Sequence, residues 1–209
     1  SSDVCSSDLK KSKYSKILIS VKSKRLKLEI REQNIYNILA LITVLNELNV
    51  DFNKIKTKFK TLELSEGRGK KYNISRYKRK FKLIDESYNA NPSSVKNAIK
   101  NLDMIKKKKF KKYLILGDML ELGSKSKKYH EELSKVINNS DIDKVFVKGK
   151  KTIFTYKRLN KDKRGNILQN NEDIDLSLEH MISNNDYLMI KGSNATGLNA
   201  FSKKLIRGI

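Results

Sequence analysis

The sequence predicts an α/β protein whose larger part is a mainly parallel sheet covered by helices on both faces. From Phe81 onward, short apolar runs alternate with amphipathic helical patterns, which is typical of strands joined by helical crossovers. The chain has 209 residues, of which 38% are hydrophobic, so it can bury a sizeable core. No run approaches the roughly 18 apolar residues that a membrane-spanning helix needs, and no secretory signal is recognisable. We expect a cytoplasmic protein.

The part before Phe81 predicts a smaller unit of mixed structure. Two β-prone runs, 17–21 and 26–30, are separated by a short polar turn and predict a hairpin. An apolar stripe over 34–48 predicts a helix, and Phe52, Ile55 and Phe59 predict a second amphipathic piece. The polar stretch that follows, residues 65–80, is the best candidate for a domain boundary. We therefore expect one domain over residues 10–79 and another over residues 80–209.

In the second part, four loops are expected to gather at one edge of the sheet. The predicted strands span 81–84, 113–116, 144–147, 166–168 and 187–190, and the predicted helices span about 93–105, 129–138, 174–182 and 198–206, with Ser93 or Ser94 as the cap of the first helix. Parallel sheets of this type bind ligands at the carboxyl ends of their strands. The loops to examine are therefore 85–92, 117–123, 149–151 and 191–197.

The first nine residues, SSDVCSSDL, form a near-repeat around Cys5 and contain no lysine, unlike the rest of the chain. We interpret them as a non-native scar. Without them the chain has no thiol, which excludes disulfides, Cys-ligated metals and a cysteine nucleophile.

The net charge of +23 raises the possibility of a nucleic-acid partner. However, 38 of the 46 basic residues are lysines and only 8 are arginines, whereas specific readers of phosphates and bases favour arginine. A coding bias toward lysine, asparagine and isoleucine explains the charge more simply, and we favour it over a nucleic-acid surface.

The octapeptide Asp85–Pro92 carries the strongest signal for chemistry. It follows a predicted buried strand and contains two carboxylates, an aromatic ring and two amides. Carboxylates at a strand end suit ribose hydroxyls, an exposed tyrosine suits stacking on a base, and asparagine amides suit adenine edges. A turn in which Asn and Pro are chosen for backbone shape explains the octapeptide equally well.

Two further loops carry small and charged residues at predicted strand ends. Gly117–Gly123 places two acids between glycines, although a simple loop that needs backbone freedom would also explain it. Lys191–Gly197 combines a lysine with a helix start, which suits a phosphate or carboxylate. The phosphate-binding order G-x-x-x-x-G-K-[ST] is absent from the chain. We interpret His130 and His180 as ordinary residues on polar helix faces.

Taken together, these segments resemble the Mur ligases, and most specifically the branch that adds D-alanyl-D-alanine. Asp85–Pro92, D-E-S-Y-N-A-N-P, is similar to the D-[DE]-S-Y-N-A-N-P signature of that branch, and Leu116–Gly123, L-G-D-M-L-E-L-G, is similar to its next strand-loop signature. Ile190–Ser193 resembles its late K-G-S, Gln33–Asn37 resembles an H-N-x-x-N helix start with Gln in place of His, and Gly67-Arg68 resembles a G-R before the last domain. The resemblance covers about residues 13–209.

The resemblance implies the end of a central ATPase-type domain followed by a Rossmann-like C-terminal domain. It implies an ATP-dependent ligase in which ATP phosphorylates the terminal carboxylate of UDP-MurNAc-tripeptide and the amine of D-Ala-D-Ala then attacks the acyl phosphate to form an amide. Mg²⁺ would be required, with its ligands and the triphosphate cradle expected outside this chain, so we expect the chain alone to be inactive. The full-length enzyme is expected to be a monomer.

The resemblance also implies roles for individual residues. Arg68 would reach the ATP phosphates and is the one catalytic residue expected in the chain. The expected ATP-binding residues are Asn34, Asn37, Arg68, Asp85, Glu86, Tyr88, Asn89 and Asn91. The expected substrate-binding residues are Asp118, Lys191, Ser193 and Asn194. No residue of the chain is expected to hold a metal.

Two alternatives stay open. The chain could belong to another Mur ligase or to a relative of folylpolyglutamate synthetase, which would change the substrates but keep the chemistry. It could instead be a lysine-rich nucleic-acid-binding module, which would bind DNA or RNA with a steep dependence on salt.

Overall fold

A computed structural model describes residues 15–21, 24–30, 35–106 and 109–208. The chain divides into two compact units, with the break between Leu64 and Ser65. Within the described ranges, no helix is long and apolar enough to cross a membrane. The segment 1–9, interpreted as a scar, lies outside the described residues.

The first unit contains the predicted hairpin and helices. Strands β1 (Ser15–Val21) and β2 (Lys24–Ile30) pair antiparallel. They are followed by helix α1 (Ile35–Glu47), the short helix α2 (Phe52–Ile55) and a 3-10 turn (Lys56–Lys60). Its core consists of Ile19, Leu28, Ile30, Ile38, Ile42, Phe52 and Phe59. Of the predicted apolar stripe over 34–48, Ile38 and Ile42 are buried, whereas Ile35, Leu39 and Leu48 are exposed.

The second unit is a six-stranded sheet with the order β3-β4-β8-β5-β6-β7. Its strands are β3 (Lys70–Arg76), β4 (Arg79–Glu86), β5 (Lys112–Gly117), β6 (Lys144–Lys148), β7 (Arg164–Ile167) and β8 (Tyr187–Lys191). Its helices are α3 (Pro92–Asp103), α4 (Ser126–Asn138), α5 (Thr152–Lys157), α6 (Asn171–Met181) and α7 (Leu198–Arg207). All neighbours except β3 and β4 pair in parallel, which confirms the predicted fold class.

Helices cover both faces of this sheet because every second strand residue points to the opposite side. On β5, Leu114 and Leu116 belong to the core under α3, α4 and α5, whereas Tyr113 and Ile115 belong to the core under α6 and α7. Because β8 lies between β4 and β5, the loops that follow these three strands are neighbours at the carboxyl edge of the sheet.

Strand β3 contradicts the prediction that 70–80 is a polar boundary segment. Its seven residues pair with β4 from Lys70↔Asp85 to Arg76↔Arg79. Only Ile74 of this strand is buried. Because β3 is an edge strand, Lys71 can face solvent, while Lys70 is half-buried over the Tyr72 ring. The second compact unit begins at Ser65, and the division into domains over 10–79 and 80–209 stays a prediction.

Candidate active site

The loops after β5 and β8 approach each other through two glycines. A β-carbon on Gly117 would lie 3.2 Å from the α-carbon of Gly192 and 2.7 Å from a methyl group of Leu198. Any side chain here would therefore collide with backbone and with a core leucine. The glycines set a close, fixed spacing between these two loops.

Asp85 joins the strand end of β4 to the loop that carries Arg68. Its side chain is 1% exposed, and its carboxylate accepts hydrogen bonds from the Gly67 backbone at 2.9 Å and from the Ser87 hydroxyl at 2.5 Å. The backbone supports the same connection, because the Gly69 N–H donates to the Asp85 carbonyl at 2.7 Å. Both carboxylate oxygens are already engaged, so of the two acids expected at the ribose, Glu86 is the one left accessible.

This connection places the Arg68 guanidinium on the Tyr88 ring, 4.5 Å from its centroid. Gly67 has a positive φ of +73°, and a β-carbon there would lie 2.7 Å from that of Tyr88, so only glycine allows the two segments to approach this closely. Tyr88 stays 47% exposed. The structure therefore brings together a cation and an aromatic face that are distant in sequence.

Lys191 lies directly beneath these residues. It is 2% exposed, and its ammonium donates to the carbonyl of Glu86 at 3.3 Å and to the carbonyl of Asn89. The Glu86 carboxylate lies 3.6 Å from the ammonium nitrogen, which makes an ion pair without a close hydrogen bond. Lys191 thus holds the backbone of the octapeptide from below.

Burial dominates the titration of this pair. It raises the pKa of Glu86 above its usual value although Lys191 and Arg68 oppose the shift. It lowers the pKa of Lys191 although Glu86 favours the charged form. A partly buried acid that is incompletely paired, next to a cation and an aromatic ring in a loop cluster, is typical of a functional site.

The two asparagines of the octapeptide have different surroundings. Asn89 is exposed, and its side chain accepts from the Ala90 N–H at 2.7 Å. Asn91 caps α3, because its side chain accepts from the Ser94 N–H at 2.8 Å while the Ser94 hydroxyl accepts from the Asn91 N–H at 3.1 Å. The prediction that Ser93 or Ser94 is the cap is therefore wrong, since Pro92 occupies the first helical position and the cap precedes it.

Asp118 points toward the turn that begins α5. It is 8% exposed, and its carboxylate accepts from the backbone N–H groups of Thr152 at 2.7 Å and Lys151 at 3.0 Å. Gly149, with φ of +135°, leaves room for it, since a β-carbon there would lie 2.3 Å from a carboxylate oxygen. Asp118 thus fixes two loops to each other.

Ser193, on the loop after β8, similarly connects the loop after β5 with the octapeptide. It is 6% exposed, and its hydroxyl accepts from the Leu120 N–H at 3.1 Å and lies 3.5 Å from the Ala90 carbonyl. Asn194, the next residue, is exposed and begins a short 3-10 turn. Among the predicted substrate-binding residues of these loops, Asn194 alone presents its side chain freely to solvent, while Asp118, Lys191 and Ser193 hold loops in place.

The two other asparagines expected to bind ATP, Asn34 and Asn37, are not part of the second unit. Asn34 lies outside the described residues, and Asn37 is exposed on α1. Among the residues described, no group of three or more His, Cys, Asp or Glu side chains could hold a metal ion.

Sequence reasoning missed two side chains that support this edge. His130 is fully buried, so its interpretation as a polar-face residue is wrong; its ring accepts from the Met119 N–H at 3.0 Å. Lys148, at the end of β6, donates to the Thr196 carbonyl at 2.6 Å. A histidine on the buried stripe of a helix, four residues after Ser126, was the available signal for the first.

Comparison with known proteins gives the family of the chain. A family model described as "Mur ligase, glutamate ligase domain" matches residues 73–194. The UDP-N-acetylmuramoyl-tripeptide--D-alanyl-D-alanine ligase of Buchnera aphidicola subsp. Baizongia pistaciae is 30% identical over 181 residues, covering 83% of this chain and 36% of the relative. The ligase of the same name from Bacillus subtilis is 34% identical over 128 residues, covering 59% of this chain and 28% of the relative.

Solved structures give the same fold. The MurF ligase from Thermotoga maritima in complex with ADP matches 94% of this chain and 44% of its own, with a TM-score of 0.73 and 20% identity. A MurF structure from Acinetobacter baumannii matches 93% of this chain and 43% of its own, with a TM-score of 0.75 and 19% identity. The chain spans about a third of the length of its curated relatives. Because the family model covers more than half of its residues, the chain belongs to the Mur ligase family, ATP-dependent ligases whose glutamate ligase domain it contains.

Proposed function

We propose that this chain is the C-terminal part of an ATP-dependent ligase that joins D-Ala-D-Ala to UDP-MurNAc-tripeptide through an amide bond, in the cytoplasm and as a monomer at full length. The observation that carries the proposal is the convergence of Arg68, Tyr88, Glu86 and Lys191 at the carboxyl edge of the sheet. They lie on loops whose sequence resembles the signatures of the D-alanyl-D-alanine-adding branch. Peptidoglycan precursor synthesis is the process this reaction serves.

The accessible groups of this edge suit a nucleotide. Tyr88 offers an exposed flat ring, Glu86 a partly exposed carboxylate for the ribose hydroxyls, and Arg68 an exposed cation for the phosphates. Asn89 is exposed on the same loop, and its side-chain oxygen accepts from the Ala90 N–H. The ATP-binding role of Asn37, which belongs to the first unit, stays a prediction. Asp85 and Asn91 contribute by holding the loop and the helix start, which keeps the accessible groups in place.

We place the triphosphate cradle and the ligands of Mg²⁺ in sequence outside these 209 residues, since the chain contains no G-x-x-x-x-G-K-[ST]. When bound, Mg²⁺ neutralises charge on the transferring phosphate. The part assigned to this chain is to hold the nucleoside end, to bring Arg68 toward the phosphates, and to present the 117–123 and 191–197 loops to the incoming dipeptide.

The nucleotide part of the proposal is tested with this chain and ADP. Calorimetry and amide NMR shifts should report binding, with the largest shifts at Arg68 and over 86–91. Glu86→Gln and Arg68→Ala should each weaken binding about tenfold, which corresponds to about 1.4 kcal/mol. Glu172→Gln, an exposed acid on α6, is the matched control and should bind as the unchanged chain does. Shifts confined to other surfaces would contradict the assignment.

The reaction is tested with the full-length protein, expressed from the source gene after the sequence upstream of codon 10 has been read. Phosphate release from ATP should require both UDP-MurNAc-tripeptide and D-Ala-D-Ala. Release that depends on a single amino acid instead would indicate another Mur ligase, and release with a folate and glutamate would indicate a folylpolyglutamate-synthetase relative. No release under any of these conditions, together with salt-sensitive binding of DNA or RNA, would favour the nucleic-acid-binding alternative.

A further inference from the structure

The loop after β5 rests on a buried histidine that the proposed function does not use. His130 lies on α4 with its side chain 0% exposed. Its Nδ1 is 2.8 Å from the carbonyl oxygen of Ser126, which can only accept a hydrogen bond, so Nδ1 carries the proton. Its Nε2 therefore has a free lone pair, and it accepts from the Met119 N–H at 3.0 Å. The geometry selects one neutral tautomer.

The same loop is held at two other points. The Asp118 carboxylate accepts from the N–H of Thr152, and the Ser193 hydroxyl accepts from the N–H of Leu120. Beyond these anchors, Leu120 is 40% exposed and Glu121 adopts a left-handed φ of +61°, which is unfavourable for a residue with a side chain. Exposed residues held in a strained backbone are typical of functional loops. Of the three anchoring side chains, His130 is the one whose ordinary titration lies near neutral pH.

We propose that His130 is a positioning residue for the candidate active site: as a neutral imidazole it holds the backbone of Met119 and thereby presents Leu120 and Glu121 at the carboxyl edge of the sheet. Protonation would place an Nε2–H against the Met119 N–H, because both groups are then donors. The anchor would be lost, and the strained conformation of Glu121 would relax.

The surroundings of the ring favour the neutral form. Burial lowers the pKa of His130, the carbonyl of Ser126 and the charge of Asp118 oppose this shift, and the charge of Lys151 supports it. From α5, the Thr155 hydroxyl donates to the backbone carbonyl of His130 at 2.6 Å and fixes the helix at that residue. Because the folded pKa lies below the ordinary 6.5, the anchor is complete above pH 6.5 and is lost as pH falls through the folded pKa.

The first test measures the tautomer in the full 209-residue chain by ¹⁵N NMR of the histidine rings. We expect a protonated Nδ1 and an unprotonated Nε2 for His130, with a coupling from the Met119 N–H to Nε2. On acidification, the amide signals of Met119 and Leu120 should shift with the same midpoint as the ring. A protonated Nε2 at neutral pH, or amide signals that ignore the ring titration, would overturn the proposal.

The second test compares two variants. His130→Gln keeps an acceptor near the position of Nε2, whereas His130→Met fills the space without one. The amide signals of 119–121 should keep their chemical shifts in His130→Gln and should shift or broaden in His130→Met. His180→Met, on the exposed face of α6, is the control and should leave the amide signals of 119–121 unchanged. Equal disturbance by His130→Gln and His130→Met would mean that the ring only fills space.

The consequence for catalysis rests on the proposed function. In the full-length ligase, His130→Met should raise the KM for D-Ala-D-Ala at least tenfold, and His130→Gln should restore most of it. Unchanged kinetics alongside the expected NMR result would keep the anchor but remove its role in the reaction. Absence of ligation by the unmodified enzyme would contradict the proposed function and leave the NMR result standing.

Discussion

Two buried lysines on neighbouring strands occupy opposite edges of the sheet. Lys112 begins β5 with 0% of its side chain exposed, and Lys191 ends β8 with 2% of the residue exposed. The Lys112 ammonium donates to the Asp141 carboxylate at 2.6 Å and to the Asp103 carbonyl at 2.7 Å. The Lys191 ammonium donates to two carbonyls, while its carboxylate partner, Glu86, stays 3.6 Å away.

The difference separates an ion pair that is completed by a close hydrogen bond from one whose acid stays incompletely paired. At the amino edge, the charge of Lys112 is met at hydrogen-bond distance, so the pair is complete within the protein. At the carboxyl edge, Glu86 keeps a raised pKa because neighbouring cations do not fully offset its burial. An acid in this state gains from a ligand that donates hydrogen bonds to it, such as a ribose hydroxyl.

The largest effect that separates the two lysines is expected on stability. Lys112→Ala removes a fully buried side chain and leaves the Asp103 carbonyl without this donor, so it should lower the free energy of unfolding by about 3 kcal/mol. Urea unfolding measures this change. Lys111→Ala, at an exposed neighbouring position, should cost less than about 0.5 kcal/mol. If folded Lys112→Ala binds ADP as weakly as Glu86→Gln does, the distinction between the two edges is contradicted.

Lys191→Met should have a smaller effect on stability and a specific effect on the site. Methionine fills the volume but leaves the carbonyls of Glu86 and Asn89 without their donor, which should cost about 2 kcal/mol. The octapeptide should loosen, and affinity for ADP should fall about tenfold by calorimetry. Lys100→Met, exposed on α3, is the control. Full affinity in Lys191→Met would place this lysine in the same class as Lys112.

Tyr113, next to Lys112, makes the stability of the amino edge depend on pH. Its hydroxyl donates to the Met181 carbonyl at 3.0 Å, and burial, followed by the charges of Asp186 and Asp143, raises its pKa to about 12. Since the unfolded tyrosine ionises near pH 10, the stability that its neutral form provides is present below pH 10 and is lost between pH 10 and 12.

Tyr113→Phe should therefore flatten the alkaline fall in unfolding free energy by about 2 kcal/mol across this interval. Urea midpoints at several pH values measure the difference from the unchanged chain, so that the titration of other tyrosines and lysines cancels. Parallel curves for the two proteins would contradict the burial of this hydroxyl.

The smallest expected effect is a gain at the turn between β3 and β4. Tyr77 and Lys78 both have a positive φ, 54° and 55°, which glycine adopts without the cost that a side chain adds. Tyr77 is compensated by a hydrogen bond from its hydroxyl to Asp175. Lys78→Gly should stabilise the protein by about 1 kcal/mol in thermal unfolding, whereas Tyr77→Gly should destabilise it because that bond is lost.

The sequence predicted most of the fold because apolar runs and helical stripes are local signals. It failed at β3, where lysines on an edge strand resemble a polar linker, and at the short helix α5 (Thr152–Lys157), whose one buried stripe is too brief to show a period. It also placed the cap of α3 within the helix. Strand β3 forms because β4 pairs with it, α5 is too short to give a pattern, and the cap of α3 is set by Pro92 at the first helical position.

The sequence predicted which loops form the candidate site, but not which side chains hold the loops in place and which are accessible to a ligand. The resemblance to the Mur ligases implied that Asp85, Asp118 and Lys191 belong with the residues that meet ligands. In the structure these three side chains bond to backbone groups of other loops. Such long-range hydrogen bonds leave no local pattern, and neither does the stacking of Arg68 on Tyr88.

The pair of facing glycines, Gly117 and Gly192, has a consequence for how such an enzyme can change its preference for substrates. The backbones of the two loops approach closely there, and Leu198 and Thr196 fill the space beside the glycines, so neither glycine can be exchanged for a residue with a side chain without displacing these neighbours. Under the proposed function, we therefore expect variation in the accepted amine to come from the exposed ends of the loops, at positions such as Leu120, Glu121 and Asn194. The contact between the two glycines is the fixed part of this edge, and the exposed loop ends are the part that can vary.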